Sequence, residues 1–250
     1  MTLALTSALV LLAGAYAWRW RSARPALPFG RLWAFLFGVL ALWAAVASPL
    51  AHLDQGQLTG HMLEHLLIMT VAAPLLLLGE PARVLQQPQA VDRPRRGWRV
   101  HPVPCWLAGT LVVLIWHLPR VFEVGMRWHG LQHATFLAAG LLFWLPVLTP
   151  WPSVSPWPRW SIPLYLFLAT LPCDGLSAFL VFCGRVVYRH YDVLDARGLM
   201  PAGCPPPMNA ISALEDQQRA GALMWFWVTL AYALPAALVT IELLSPAEPH

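Results

Sequence analysis

Apolar residues in this chain come in long runs separated by short polar breaks. A helix that crosses a bilayer needs about 20 mostly apolar residues. Seven runs meet that need, at about 3–18, 31–50, 59–79, 104–119, 129–149, 161–183 and 219–243. The fourth has the least defined ends. The pattern predicts an all-α polytopic membrane protein, a bundle of seven transmembrane helices occupying residues 1–250 as a single domain. Prolines 74, 163, 172 and 235 fall inside spans, where a kink opens space for a site.

Composition agrees. Of 250 residues, 58% are hydrophobic and only 11% charged, where a soluble domain carries about 25% charged residues. Little chain is left for a soluble domain, and there is no internal repeat or low-complexity tail. Ala15-Tyr16-Ala17 has the form of a signal-peptide cleavage site, but residues 1–6 carry no positive charge and Arg19, Arg21 and Arg24 follow the apolar run. That order predicts a retained first helix.

Charge sets the orientation. All sixteen basic residues are arginine. Ten lie in the 1–2, 3–4 and 5–6 connections (Arg19, Arg21, Arg24, Arg31, Arg83, Arg93, Arg95, Arg96, Arg99 and Arg159), and six on the other side, four of these in one long loop. The positive-inside rule then puts the N-terminus outside and the C-terminus in the cytoplasm. The net charge of +4 reflects these loops. No basic, aromatic platform for nucleic acid is present, so membrane lipid is the expected surroundings.

With that topology, seven of the nine histidines fall on the outer side. His61 and His65 open the third span, His117 closes the fourth, and His129 and His133 open the fifth; His52 and His190 lie in outer loops. Each pair spaced by four shares a helix face. Met69 continues the His61/His65 stripe, and Met62 stands beside it. Imidazole suits copper and zinc, and thioether selects Cu(I). Polar groups at membrane depth are costly and tend to be functional. The pattern therefore predicts a metal site of His61, His65, His117, His129 and His133, with Met62 and Met69 as softer donors. Taken singly, a histidine at a helix end is usually an interfacial or hydrogen-bonded side chain; it is the two pairs together that carry the metal reading.

The remaining polar groups have weaker signals. Glu64 is turned about 100° from His65, so it is expected as an orienting partner of an imidazole or an arginine rather than a ligand in the same row. Asp216 opens the last span. It is read either as a helix cap or as a further metal donor reaching the histidines, with Gly221 allowing another helix close. Asp174, inside the sixth span, is expected to face the bundle interior. Cys183 and Cys204 suit a disulfide in an oxidising compartment or soft metal ligation; Met200, Cys204 and Met208 in the long loop about 185–218 would suit copper capture, but chance spacing explains them more simply.

Several motifs occur in order: "HMLEHLLIMTVAAPLLLLGEP" from His61, "WHLP" at 116–119, the His129/His133 helix running into "LLFWLPVL", "YRHY" at 188–191 and "DQQRAGALMW" at 216–225. This combination resembles the multi-span CtaG family of cytochrome c oxidase assembly factors, the seven-helix type found with caa-type oxidases. The resemblance implies a role in maturing a haem-copper oxidase, with copper supply to its catalytic subunit as the proposed step. His61 and His65 fall on the family's H-M-x-x-H element. Trp116, His117 and Pro119 fall on W-H-x-P, and Asp216, Gln217, Gly221 and Trp225 on the D-Q-x-x-x-G element.

The combined expectation is a non-enzymatic metallochaperone for respiratory chain biogenesis. It would hold copper, as Cu(I), at its periplasmic face, in contact with the oxidase catalytic subunit and a periplasmic copper chaperone. Two alternatives use the same residues: a seven-helix zinc-dependent hydrolase, with Glu64 or Asp216 as acid or base, and a haem-b electron carrier with two facing histidines.

Overall fold

A computed structural model of the chain describes residues 2–22, 28–48, 57–81, 84, 101–148, 158–188, 190–191 and 211–245. The principal elements among them are α1 (Thr2–Ser22), α2 (Phe29–Val46), α3 (Leu58–Leu66), a π-helical turn (Leu67–Ala72), α4 (Ala73–Leu78), α5 (Pro102–Trp116), α6 (Pro119–Gly125), α7 (His129–Trp144), α8 (Ser161–Phe182) and α9 (Ala213–Leu244). No strand occurs among the described residues. Helix α3, the π turn and α4 form one continuous span.

Among the described residues five helices are long and apolar enough to cross a membrane, or six where the bent pair α5–α6 counts as one span. The expected count of seven is therefore not reached by length and composition. The remaining helix, α7, has 16 residues. That is about 24 Å of helix against a hydrocarbon core of about 30 Å, and its first turns hold His129, Gln132 and His133. Leu3, Leu11, Phe37, Phe226, Leu238 and Leu244 are exposed on α1, α2 and α9. Apolar surface of that extent belongs against lipid rather than water.

The core lies where α3, α7, α8 and α9 meet, around Leu166, Phe143, Ala220, Met224 and Tyr232. Helix α1 packs on α2 through a separate cluster of Leu9, Tyr16, Phe35 and Val39. Gly221 does bring helices close, as the sequence suggested. A Cβ there would stand 3.0 Å from the Leu180 Cβ and 3.1 Å from the Ser177 carbonyl on α8. Asp174 is half-buried on α8, beside Thr170 and Thr229 of α9.

Polar ties fix the two ends of the bundle. At one end the Asp216 carboxylate of α9 accepts from the Leu58 and Thr59 amides and from Thr59 Oγ1 (2.6 Å), so α9 caps α3. At the other, Arg159 before α8 meets Glu242 of α9 at 2.7 Å, and Arg31 of α2 meets Glu80 after α4 at 2.9 Å. Successive spans therefore alternate in direction. The N-termini of α3, α7 and α9 share an end with the C-termini of α5 and α8.

Two irregularities shape that end. The first is the π turn, which follows from Pro74. Proline has no N–H to donate, and the turn before it shifts to i→i−5 bonding, with the Ala73 amide reaching the Ile68 carbonyl. In that register the Met69 carbonyl would await Pro74. The Trp144 indole of α7 donates to it instead (2.8 Å). Trp227 of α9 donates to Thr70 Oγ1 (2.8 Å), binding a third helix to the same turn.

The second is the bend between α5 and α6, which is 87°. Leu118 precedes Pro119 and takes the extended conformation that proline imposes on its predecessor. Pro119 then starts α6, where its missing N–H costs nothing. The sequence reading ended the fourth span here and did not foresee α6, which crosses beneath the histidine end at nearly a right angle to α5.

Candidate metal centre

Helix α3 carries His61, Met62, Glu64 and His65, all buried. A polar row this deep is unusual, because an imidazole or carboxylate removed from water needs hydrogen-bond partners. The partners come from the surrounding helices. His117 caps the C-terminus of α5, and the bend after it turns the chain so that Phe122 of α6 packs on His61 (ring centroids 4.9 Å apart). Helix α7 begins at His129, which places His129 and His133 on the face towards α3.

The structure brings together the five histidines that the sequence singled out. His129 Nε2 lies 3.4 Å from His61 Nδ1. His133 Nε2 lies 3.1 Å from Glu64 Oε2. His117 Nε2 lies 3.2 Å from Met62 Sδ. His65 sits among them, its ring centroid 4.3 Å from that of His61, 6.2 Å from His133 and 6.3 Å from His117. Its other face stacks on Phe136 at 4.0 Å.

Hydrogen bonding identifies which donors remain available. A carbonyl only accepts, so His117 Nδ1, 2.7 Å from the Val113 carbonyl, carries that ring's proton. Its Nε2 then turns a lone pair towards the Met62 sulfur. Both ring nitrogens of His65 and Nε2 of His61 are buried with no hydrogen-bond partner among the described residues. Nearly all buried polar atoms in folded proteins are bonded. Three such nitrogens in one buried cluster, amid further imidazoles, a carboxylate and a thioether, form a donor set suited to a soft or borderline cation. One atom from each of His61, Glu64 and His129 lies within 4.8 Å of the others, close enough to share an ion.

Two further candidates stand apart from the cluster. Asp216 is engaged with the N-terminus of α3, where a carboxylate meets unsatisfied amides and the positive helix end. The capping reading thus describes its position, although the helix it caps is not its own. Its own helix begins at Ala213, six residues before the expected start, because Ser212 accepts from the Glu215 amide (3.2 Å). Met69 packs with Ala45, Ile68, Phe136 and Ala139 in an apolar cluster, and its carbonyl holds Trp144. Cys105 and Cys173 are buried thiols and Cys183 is a half-buried one. His52, Met200, Cys204 and Met208 lie outside the described residues, and with them the Cys183–Cys204 disulfide and the copper-catching loop.

Sequence reasoning gave some neighbours of the site no role in it. Tyr188 donates to the His117 carbonyl (3.1 Å), and burial pushes its phenol up, so the proton for that bond is held firmly. Tyr188 and Tyr191 pack on Phe122, with ring centroids 4.2 Å and 6.1 Å away. These tyrosines bracket His190, whose ring centroid lies 5.1 Å from that of Tyr191. Gln132 is fully buried between His129 and His133 in sequence, and neither atom of its amide has a partner among the described residues. The visible signal for it was a glutamine in the same polar turn as the two histidines, "WHGLQH".

Residues 10–245 match the model of one protein family, the cytochrome c oxidase caa3 assembly factors (Caa3_CtaG). No curated protein and no solved structure matches the chain.

Proposed function

Because the chain belongs to the cytochrome c oxidase caa3 assembly factor family, we propose that its histidine cavity carries copper destined for the metal centre of a haem-copper oxidase. Membership implies interaction with an oxidase. Copper as cargo is the reading that the cavity supports best. The observation that carries it is His65, a buried imidazole with both nitrogens unpartnered among the described residues and other metal-ligand side chains on either side.

Such a site works by ligand exchange. Cu(I) would be held by imidazole and thioether donors and passed on without bond-breaking chemistry in the protein, which accords with an assembly role rather than an enzymatic one. Orientation rests on the arginine asymmetry, which assigns the histidine end to the periplasm and the arginine-rich end to the cytoplasm. The ion would then be taken up from, and handed to, partners outside the inner membrane.

The His61, Glu64 and His129 group favours a second reading, since two imidazoles and a carboxylate also suit zinc. A hydrolase would need that zinc with an open position and a turnover activity. The haem alternative is the poorest fit, because His61 and His129 contact each other directly and leave no slot for a porphyrin between them.

The test is metal content of the purified chain together with oxidase activity in cells expressing it at normal abundance. A His61→Ala/His65→Ala variant should insert, lose copper and leave the oxidase copper-deficient. Full oxidase assembly by that variant would remove the copper role. Zinc retained at one equivalent, with no copper bound, would favour the second reading.

A further inference from the structure

The donors in the cavity do not form one uniform set. His61 Nδ1 and His129 Nε2 are 3.4 Å apart, with the Glu64 carboxylate in reach of both. Two nitrogens bound to one tetrahedral ion at about 2 Å each stand about 3.3 Å apart. The pair is therefore spaced as if for a shared ion, and the third donor is an oxygen. His133 also bonds Glu64 Oε2 (3.1 Å) and fixes where that carboxylate points.

The His117–Met62 pair is different in kind. With Nδ1 donating to Val113, a neutral His117 offers Nε2 as an acceptor, and the thioether sulfur is also an acceptor. Two lone-pair atoms 3.2 Å apart repel unless a cation lies between them. Bonds of about 2.0 Å to nitrogen and about 2.3 Å to sulfur would set them about 3.5 Å apart at a tetrahedral angle. A nitrogen and a thioether together prefer Cu(I), whereas two nitrogens and a carboxylate prefer a divalent ion.

We propose that the cavity contains two adjacent metal positions of different preference. One is an N/O position of His61, Glu64 and His129 for a divalent ion, and the other an N/S position of His117 and Met62 for Cu(I). His65 is the ligand common to both. Its ring lies between the two pairs, with neither nitrogen held by another group among the described residues. An ion can then move from one set to the other by exchanging ligands around His65, without release into lipid or water. The inference rests on the copper reading and adds to it that the soft and hard donors act separately.

The experiment uses the full chain in detergent with two probes. Zn(II) serves the N/O set, and Cu(I), buffered by a chromogenic chelator under reducing conditions, serves the N/S set. Protein already loaded with Cu(I) should still take up Zn(II) and release one proton to solvent as it does, because the neutral His65 ring has one lone pair and gives up its N–H to bridge both ions as an imidazolate. Glu64→Gln should weaken Zn(II) binding by about 10-fold or more and leave Cu(I) affinity within about 2-fold. Met62→Leu should do the reverse. Both changes conserve volume, and thermal unfolding checks that each variant is folded. X-ray absorption of the Cu(I) form supplies a readout that needs no variant, namely a sulfur neighbour at about 2.3 Å.

Displacement of one ion by the other, or equal loss of both ions in both variants, would mean a single site. That result would overturn the two-position inference and leave copper binding intact. Absence of the sulfur neighbour would likewise remove the N/S position. Failure of the unaltered chain to bind Cu(I) at all would sink the copper reading itself.

Discussion

The Trp144 indole of α7 donates to the Met69 carbonyl of the π turn at 2.8 Å, closing a bond across 75 residues that proline denies to the helix itself. A buried carbonyl without a donor costs about 1–3 kcal/mol. Trp144→Phe should destabilise the protein by that order, read by thermal or denaturant unfolding in detergent. The cost should shrink when Pro74→Ala is added, because that change restores a backbone amide in position to serve the same carbonyl. Strictly additive losses would show that Trp144 acts only by packing.

The link between Asp216 and α3 leads to a second expectation. Capping carboxylates are worth about 0.5–2 kcal/mol, and this one accepts two backbone amides and the Thr59 hydroxyl. Asp216→Ala should therefore lower stability by about 1–2 kcal/mol and leave the number of bound metal ions unchanged. Asp216→Asn should fall between the two, since the amide oxygen still accepts. Loss of a full equivalent of metal in a folded Asp216→Ala protein would reinstate it as a ligand.

These two contacts also show where the sequence runs out. The histidine pairs were legible because the rules involved are simple: residues four apart share a helix face, and successive spans alternate in direction, so the third and fifth spans begin at the same end. His61, His65, His129 and His133 needed nothing more to be placed together. Asp216 was ambiguous because a cap on its own helix and a cap on another look the same in sequence. The two helices it joins are 157 residues apart. Glu64 was turned away from His65 by the helix wheel, correctly for an isolated helix. The wheel carries no information about α7, which surrounds that face and brings His133 to the carboxylate. The right-angle bend at Leu118 had its signal in Pro119, but a proline marks a break without giving its angle. The expected fifth span, 129–149, starts where the sequence placed it and shortens to the 16 residues of α7 because the helix stops at Trp144, just ahead of Pro146.

Orientation is open to direct measurement. Asp54→Cys and Met200→Cys should react with a membrane-impermeant thiol reagent in intact spheroplasts, whereas Ala90→Cys should react only after the membrane is opened. The motive is the ten-to-six arginine division between the two sides. Native cysteines would first be replaced by serine or alanine, with oxidase activity as the control for folding. Labelling of position 90 alone in intact spheroplasts would invert the protein and place the histidine end in the cytoplasm.

The last expectation concerns a conflict between stability and function at His65. Its two ring nitrogens have no hydrogen-bond partner among the described residues, yet the ring is 5% exposed and stacks on Phe136 at 4.0 Å. Without metal, each unpartnered polar atom is a burden of about 1–3 kcal/mol, and an apolar ring of similar shape would remove it. His65→Phe should therefore leave the metal-free protein as stable as the original or more so, by about 1 kcal/mol after repacking of the larger ring. The same change should lower copper affinity at least 10-fold, as expected when a donor or its support is lost. Added copper should raise the unfolding temperature of the original chain and do little for the variant, because a ligand stabilises only the state that binds it. A His65→Phe protein that is markedly less stable without metal would show that the imidazole satisfies a structural need. Its unpartnered nitrogens would then no longer speak for a ligand.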